Sequence, residues 1–465
     1  MPALRSGVAA LAVCLLAGCA TGDPKRELAA LAPRPPAIDV PAGWYRELPA
    51  ADNAALGSWW QRFADEQLTA LVTQALRQNT SLARAAARLE QARARRDLAD
   101  AGLATQVSAS AAAENVRQRS LGSQSSYSAG LDASWEPDLY GYRKAGVSAS
   151  AATVHAEALA LADAQVSVAA EVALDYIALR GVQQREAAAD AHVHRQLVLV
   201  LLAGQKAGAA AGLDRERARA ALALAMAELP RWRASRAQLE HSVALLCGAT
   251  SAALAGQLDG VKPVPQAPEG LAMNVPADTL RQRPDVRAAA ARVDAALARL
   301  GQADASRKPV VHLEGSIGLH GIGFGGGGSV LRGLLGAISG VAFDGGAGRA
   351  RVAAEQAAVQ ESYVDYHAAV LGALRDVEDA LADLAAARER RASLRAAAEI
   401  SANAANLALL AYADGKVEVD AVLAAHAALR TSDDELVLAE VALSTAHVRL
   451  YKALGGGWQP DESPP

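Results

Sequence analysis

From Tyr127 to Trp135 the chain alternates, with Tyr127, Ala129, Leu131, Ala133 and Trp135 on one side and Ser128, Gly130, Asp132 and Ser134 on the other. A period of two predicts a strand with one apolar and one polar face. Pro137 has no N–H to give to a ladder, so the strand is expected to stop there. Val107, Ala109, Ala111 and Ala113 alternate in the same way with Ser108, Ser110 and Glu114, and predict its partner. A second pair follows. Val311, Leu313, Gly315, Ile317 and Leu319 alternate with His312, Glu314, Ser316, Gly318 and His320; the partner, from Leu331 to Phe343, is apolar on both faces. After each pair the pattern lengthens. Alanine-rich sequence runs without a proline from 139 to 203, roughly 100 Å as one helix. No proline lies between Pro309 and Pro460, which leaves room for a second long helix. Val370, Leu374, Val377, Leu381 and Leu384 follow a 4-3-4-3 spacing, a heptad seam, and Val166, Ala170, Ala173 and Ile177 repeat it. Ordinary core packing also gives one apolar stripe per helix; the length of these helices points to coiled coil.

The two strand pairs belong to two copies of one design. The run 82–90 resembles 286–294 at an offset of 204 (292 − 88). Asp138 precedes Asp344 by 206, and Gly208 and Gly248 precede Gly415 and Gly455 by 207 each. Four landmarks nearly in register indicate an internal tandem repeat, each half reading helix, strand, strand, long helix, helix. The expected boundaries are 58–262 for the first repeat, 263–283 for a linker and 284–458 for the second repeat, with a tail at 459–465. Arg283-Pro284-Asp285 opens the helix after the linker, with proline and an acidic residue where first turns favour them.

At the N-terminus, Arg5 precedes an apolar run from Val8 to Ala17 and the sequence Leu16-Ala17-Gly18-Cys19. Residues 1–18 have the layout of a secretory signal, too short to span a bilayer as a helix. The same residues look like a bacterial lipobox, in which Cys19 becomes the lipid-modified, palmitate-bearing N-terminus; Ala20 after it implies sorting to the outer membrane. An ordinary signal peptide cut elsewhere is the other reading. Cleavage removes Cys14 and leaves Cys19 and Cys247, so with Cys19 acylated no intrachain disulfide is available. Cys247 aligns with Leu454 of the second repeat and is expected to be a small buried apolar residue. Prolines 24, 33, 35, 36, 41 and 49 make 19–57 an extended tether.

Composition narrows the classes. A formal charge of −4 and a pI near 6.2 give no nucleic-acid footprint. No run of about 18 apolar residues follows the signal, so any membrane crossing has to be made by strands. Each predicted strand is about the 9–11 residues that a tilted crossing needs. Four strands cannot close a barrel and open edges are not tolerated in lipid; three copies giving twelve strands solve the problem. The glycine loop 321–328 contains GxGxxG, but strand sequence rather than a helix follows it, which reads as a hairpin tip and not a nucleotide site. His192 and His194, two apart on a helix, point about 200° from each other and make a poor metal pair. No carboxylate cluster combines with a nucleophile and a base, so no enzyme is expected and no cofactor is called for.

Each long helix ends at a glycine and turns back, at 206–214 and 412–420. Gly208 and Gly415 supply the caps, and Asp214 and Asp420 sit at the next helix starts. Taken in order, the lipobox, Trp59-Trp60, the Trp135-Glu136-Pro137-Asp138-Leu139-Tyr140-Gly141 segment, Arg283-Pro284-Asp285, Phe343-Asp344-Gly345-Gly346, Val377-Glu378-Asp379-Ala380-Leu381 and Leu454-Gly455-Gly456-Gly457-Trp458 form a specific set. Together they resemble the outer-membrane efflux lipoproteins of the NodT type, relatives of TolC and OprM. The resemblance implies a mainly α protein with a transmembrane β-barrel: a homotrimer with one twelve-stranded barrel, four strands per chain, on a coiled-coil periplasmic tunnel. It implies a passive exit duct, anchored in outer-membrane lipid at Cys19 and opened at its periplasmic tip by an adaptor protein and an inner-membrane pump, of which the resistance-nodulation-division type is favoured. The implied tip and gating residues are Gly208, Asp214, Tyr412, Gly415, Glu418 and Asp420. Relatives keep aspartates at two positions that are Ala421 and Ala424 here, so Asp420, Glu418 or Asp214 takes that part. A lipid-tethered periplasmic coiled-coil scaffold, with the strands as a soluble sheet, is the alternative.

Overall fold

The computed structural model describes residues 24–44, 56–118, 122–205, 209–268, 280, 282–322 and 328–458. Cys19, Gly208, the signal and residues 323–327 of the glycine loop lie outside them. The first repeat contains a 3-10 helix (Leu56–Phe63), α2 (Glu66–Gln78), α3 (Thr80–Ala101), β1 (Gln106–Gln118), β2 (Gly122–Trp135), α4 (Tyr142–Gln205), α5 (Ala209–Leu246) and the short α6 (Ser251–Leu254), all preceded by α1 (Pro24–Leu31). The second contains α7 (Pro284–Ala305), β3 (Val310–Ile322), β4 (Ser329–Ser339), α8 (Ala347–Ala413) and α9 (Val419–Ala453). The two long helices have 64 and 67 residues. Two compact units are formed, one from 1–38, 88–158 and 288–368, the other from 39–87, 159–287 and 369–465.

The first unit holds the sheet. All four strands pair antiparallel in the order β1-β2-β3-β4. β2 ends at Trp135, before the Glu136-Pro137 step, as the missing proline N–H requires. β4 differs from the expected span: it starts at Ser329 and ends at Ser339, so Val341 and Phe343 lie beyond it. The reason is its partner, because β3 begins at Val310 after Pro309, which offers no donor, and Gly340 lies against the Pro309 ring. Each long helix starts on an aspartate. Asp138 accepts from the N–H groups of Arg143 (3.2 Å) and Lys144 (2.8 Å), and Asp344 from those of Gly346 (2.8 Å) and Gly348 (2.6 Å). Both satisfy donors that a helix start leaves orphaned. The tether also departs from the extended chain expected, since Pro24–Leu31 is helical. Leu28 and Leu31 of α1 pack on Leu300 and Val359, an apolar contact that proline counting cannot register.

The second unit is a helical body with its own core. Trp59 stacks on Tyr451 at 5.2 Å between ring centroids and meets Trp60 and Phe63 edge-on, all of them buried. Val166, Ala170, Ala173 and Ile177 of α4, and Val370, Val377, Leu381 and Leu384 of α8, are buried as the heptad spacing predicts; Leu374 is half-buried. Gly181 lets α4 approach α9, where a Cβ would collide with a Val441 methyl carbon. Cys247 is fully buried with its Sγ 3.6 Å from the Leu71 carbonyl, and burial pushes its thiol up to about 11. Arg180, also fully buried, is held by Gln183 (2.6 Å), Gln67 (2.6 Å) and the Gly260 carbonyl (2.9 Å).

The duplication extends to the helix ends. Gly248 and Gly455, both at positive φ, close Schellman motifs through Ala249 N to Ala244 O and Gly456 N to Tyr451 O, each 2.9 Å. A side chain from the other helix pair caps each end: Asn79 Nδ2 donates to the Leu246 carbonyl (2.8 Å), and Arg283 Nη1 to the Ala453 carbonyl (2.9 Å). Different residues do the same work in the two halves.

Candidate functional site: a two-faced sheet and the tip turns

The ladders align the alternation of all four strands. Val107 faces Ala133, which faces Gly315, which faces Leu334; Ala109, Leu131, Ile317 and Arg332 form the next row, and Ala111, Ala129, Leu319 and Val330 the one after. Directly opposed residues share a face, so one side of the sheet is an apolar band bounded by Trp135 at one end and Tyr127 at the other. Between those two rows Arg332 is its single charge among the described residues. The other side carries Ser108, Ser110, Glu114, Ser128, Asp132, Ser134, His312, Glu314, Ser316 and His320. Leu331 and Leu335 fall on this polar side, opposite Gly318 and Glu314, which explains why β4 alone reads as apolar throughout. The apolar band has no cover in the single chain: Leu334 is 88% exposed, and Leu131, Ile317, Leu319 and Val330 are exposed as well. β1 and β4 are left as edges.

Polar contacts tie the helix-proximal end of the sheet. Arg143 forms an ion pair with Glu136 and donates to the Gly102 carbonyl (2.6 Å). His312 places Nδ1 3.1 Å from Glu136 and Nε2 3.2 Å from Ser339 Oγ. The ends of β2, β3 and β4 are thereby fixed in mutual register.

Of the expected tip residues, five are described. Gly415, at φ +74°, ends α8 in a Schellman motif, with Lys416 N donating to Ala411 O (2.8 Å). Tyr412 is fully buried and its hydroxyl donates to Asp214 on α5 (3.2 Å); burial first, then the Asp214 charge, raises its pKa. Asp420, in the first turn of α9, pairs with Arg217 of α5 at 2.8 Å. Glu418 is the residue before α9, in extended conformation, and its side chain makes no capping bond. Thus Asp214 and Asp420 are brought together across one interface as two separate ties, while Glu418 joins neither. Beneath them Leu199, Ala203, Ala218, Tyr412, Val419 and Val422 form a buried apolar plug. Arg217 was not singled out by the sequence; its position three residues after Asp214, on the same face of α5, was the available signal. His192 is half-buried and His194 exposed, as their spacing requires. Gly321 and Gly328 lie on β3 and just before β4, so strands flank the glycine loop and no helix opens from it.

No helix among the described residues is long and apolar enough to cross a membrane, which leaves the exposed apolar sheet as the surface to be accounted for. The comparisons with known proteins agree on the class. The chain belongs to the outer membrane efflux protein family, whose model matches residues 71–249 and 275–456. It is 29% identical over 422 residues to Nodulation protein T of Rhizobium leguminosarum bv. viciae, covering 88% of this chain and 86% of that protein. It is 29% identical over 479 residues to the outer membrane protein OprJ of Pseudomonas aeruginosa, covering 98% and 97%. Among solved structures, the outer-membrane channel OprN superposes with a TM-score of 0.81 at 32% identity over 92% of this chain and 100% of that one.

Proposed function

We propose that this protein is the outer-membrane exit duct of a tripartite efflux system, conducting passively what an inner-membrane pump and a periplasmic adaptor deliver. The observation that carries the proposal is the sheet: one face apolar but for Arg332, one face polar but for alanines and the β4 leucines, and two edges without partners. In lipid each unsatisfied backbone group costs several kcal/mol, so the edges have to meet those of sister copies. Two copies would give eight strands, a barrel whose interior is filled by side chains. Three give twelve, with the serines and carboxylates turned inward around water and the Trp135 to Tyr127 band turned to lipid. The long helices then continue the duct into the periplasm, and acylated Cys19 adds a second hold on the outer membrane.

At the tip, the Tyr412–Asp214 bond and the Arg217–Asp420 pair hold the two helical turns together, and the adaptor opens the duct by parting them. A pump of the resistance-nodulation-division type is the favoured inner-membrane partner. The duct itself does no chemistry. Its test is direct: the full-length protein, extracted in detergent, should run as a trimer with both helix and strand signals and conduct ions in planar bilayers. A water-soluble monomer with no conductance would instead support the lipid-tethered scaffold.

A further inference from the structure

The interior of the helical unit contains a polar cluster for which the duct has no use. Gln196 on α4 and His426 on α9 are each 2% exposed. The Gln196 amide nitrogen lies 3.5 Å from His192 Nε2, one turn earlier on α4, and 3.3 Å from His426 Nδ1. An amide nitrogen has two hydrogens to give and nothing to accept with. With the amide nitrogen turned toward the rings, both contacts are hydrogen bonds only while His192 Nε2 and His426 Nδ1 are unprotonated. The cluster sits directly behind the apolar plug of the tip: Leu199 and Ala203 follow His192 on α4, and Val419 and Val422 precede His426 on α9.

Three arginines and three carboxylates surround His192, so what opposes added positive charge there is burial first. Around His192, α4 contributes Arg185 and Arg195, α5 contributes Glu228 and Trp232, and α9 contributes Arg430, Asp433 and Asp434. Asp434 is engaged by Arg185 (3.3 Å) and Arg430 (3.9 Å). Asp433 is raised by its own burial, with Arg195 acting the other way. From α8, residues 400–413 bring no ionisable side chain except Tyr412. His192 Nδ1 and Gln196 Oε1 are buried without a hydrogen-bond partner, so the cluster has little to spare when a bond is lost.

We infer that His192, Gln196 and His426 form a proton-sensitive clasp between α4 and α9: a proton taken from solvent by either ring turns its acceptor nitrogen into a donor, breaks the bond to Gln196 and loosens the tip. Burial, then Arg195, His426 and Arg430, pull His192 down to about 4, and burial followed by Arg195 also lowers His426. A free imidazole titrates near about 6.5. A histidine lowered in the packed state contributes stability that is complete above that value and is lost as pH falls toward the packed value. The loosened tip therefore gains ground between about pH 6.5 and 4.

The consequence for conduction rests on the duct reading; the primary test does not. Backbone hydrogen exchange of the assembled full-length protein, corrected for intrinsic rates, should rise about tenfold in 188–200 of α4 and 422–434 of α9 between about pH 7.5 and pH 5. The β-strands should not follow. In the His192→Gln/His426→Gln double variant the rise should vanish; if that variant does not assemble, His426→Gln alone should show a smaller rise than wild type. A flat wild-type profile, or a rise of full size in either variant, overturns the clasp. In bilayers, acid on the tip side should raise the open fraction. Conductance indifferent to pH would overturn the clasp and leave the duct standing, whereas absence of conductance with an intact exchange response would count against the duct alone.

Discussion

The helical unit and the sheet solve opposite problems. The first buries Trp59, Phe63, Tyr176, Ile177 and Tyr451 in a core built from its own chain, and closes helix ends with Asn79 and Arg283. The second buries almost nothing: β4 is exposed at every position, and each outer strand has a neighbour on one side only. One region has a core of its own, though Leu201, Leu224, Leu245, Ile400 and Leu407 on its helices stay exposed, and the other is specified for completion by something else. Apolar surface in the sheet is thus almost wholly surface, while in the helices one part is core and another part is left exposed.

That contrast can be broken most severely in the sheet. Leu319→Arg would put a charge on the apolar face, at about 2–4 kcal/mol per chain near the bilayer centre, multiplied across the copies that share a barrel. Heat-resistant oligomer should disappear from gels, while Ser128→Arg on the polar side should leave it intact. Arg332→Leu, which removes the charge already in that band, should raise resistance; a loss would mean that the faces are assigned the wrong way round. In the helical unit, Trp59→Ala should cost about 3–5 kcal/mol, seen as a lower melting temperature of the helical signal with strand content unchanged.

The caps come next. Arg283 is held by the Ala453 carbonyl, Asp285 (2.7 Å) and Asp376 (3.3 Å), and the aspartates remain partly exposed. Arg283→Ala is expected to cost roughly 2–3 kcal/mol and Asn79→Ala about 1 kcal/mol; chemical denaturation should rank them in that order. Smallest is Asp420→Ala. Asp420 is exposed and its partner Arg217 half-buried, such surface pairs are worth about 0–1 kcal/mol, and the Tyr412–Asp214 bond remains. Antibiotic or dye leakage should hardly change, and a large increase would place the tip lock on Asp420 alone.

Much of this was readable in advance, for definite reasons. Alternation from Tyr127 to Trp135 survives into the fold because a half-buried strand has only two faces to fill, and the long helices follow from the absence of proline. What local pattern cannot carry is partnership over distance. The end of β4 was set by Pro309, just before β3, and α1 by apolar residues in α7 and α8. Arg217 with Asp420, and Gln196 with His426, meet only when α5 and α4 reach α9, some 200 residues later in the chain. The Asn79 and Arg283 caps are hidden in the sequence for another reason: the duplicated positions kept their task and changed their side chains.

The aligned register of the sheet limits how such a chain can change in length. Inserting or deleting one residue within any strand would turn the rest of that strand inside out, moving serines into lipid and leucines into the water-filled bore. Within the sheet, length changes are therefore admissible between β1 and β2, between β3 and β4, or inside a strand in steps of two. An engineer grafting a tag or an epitope onto the sheet would choose those two connections.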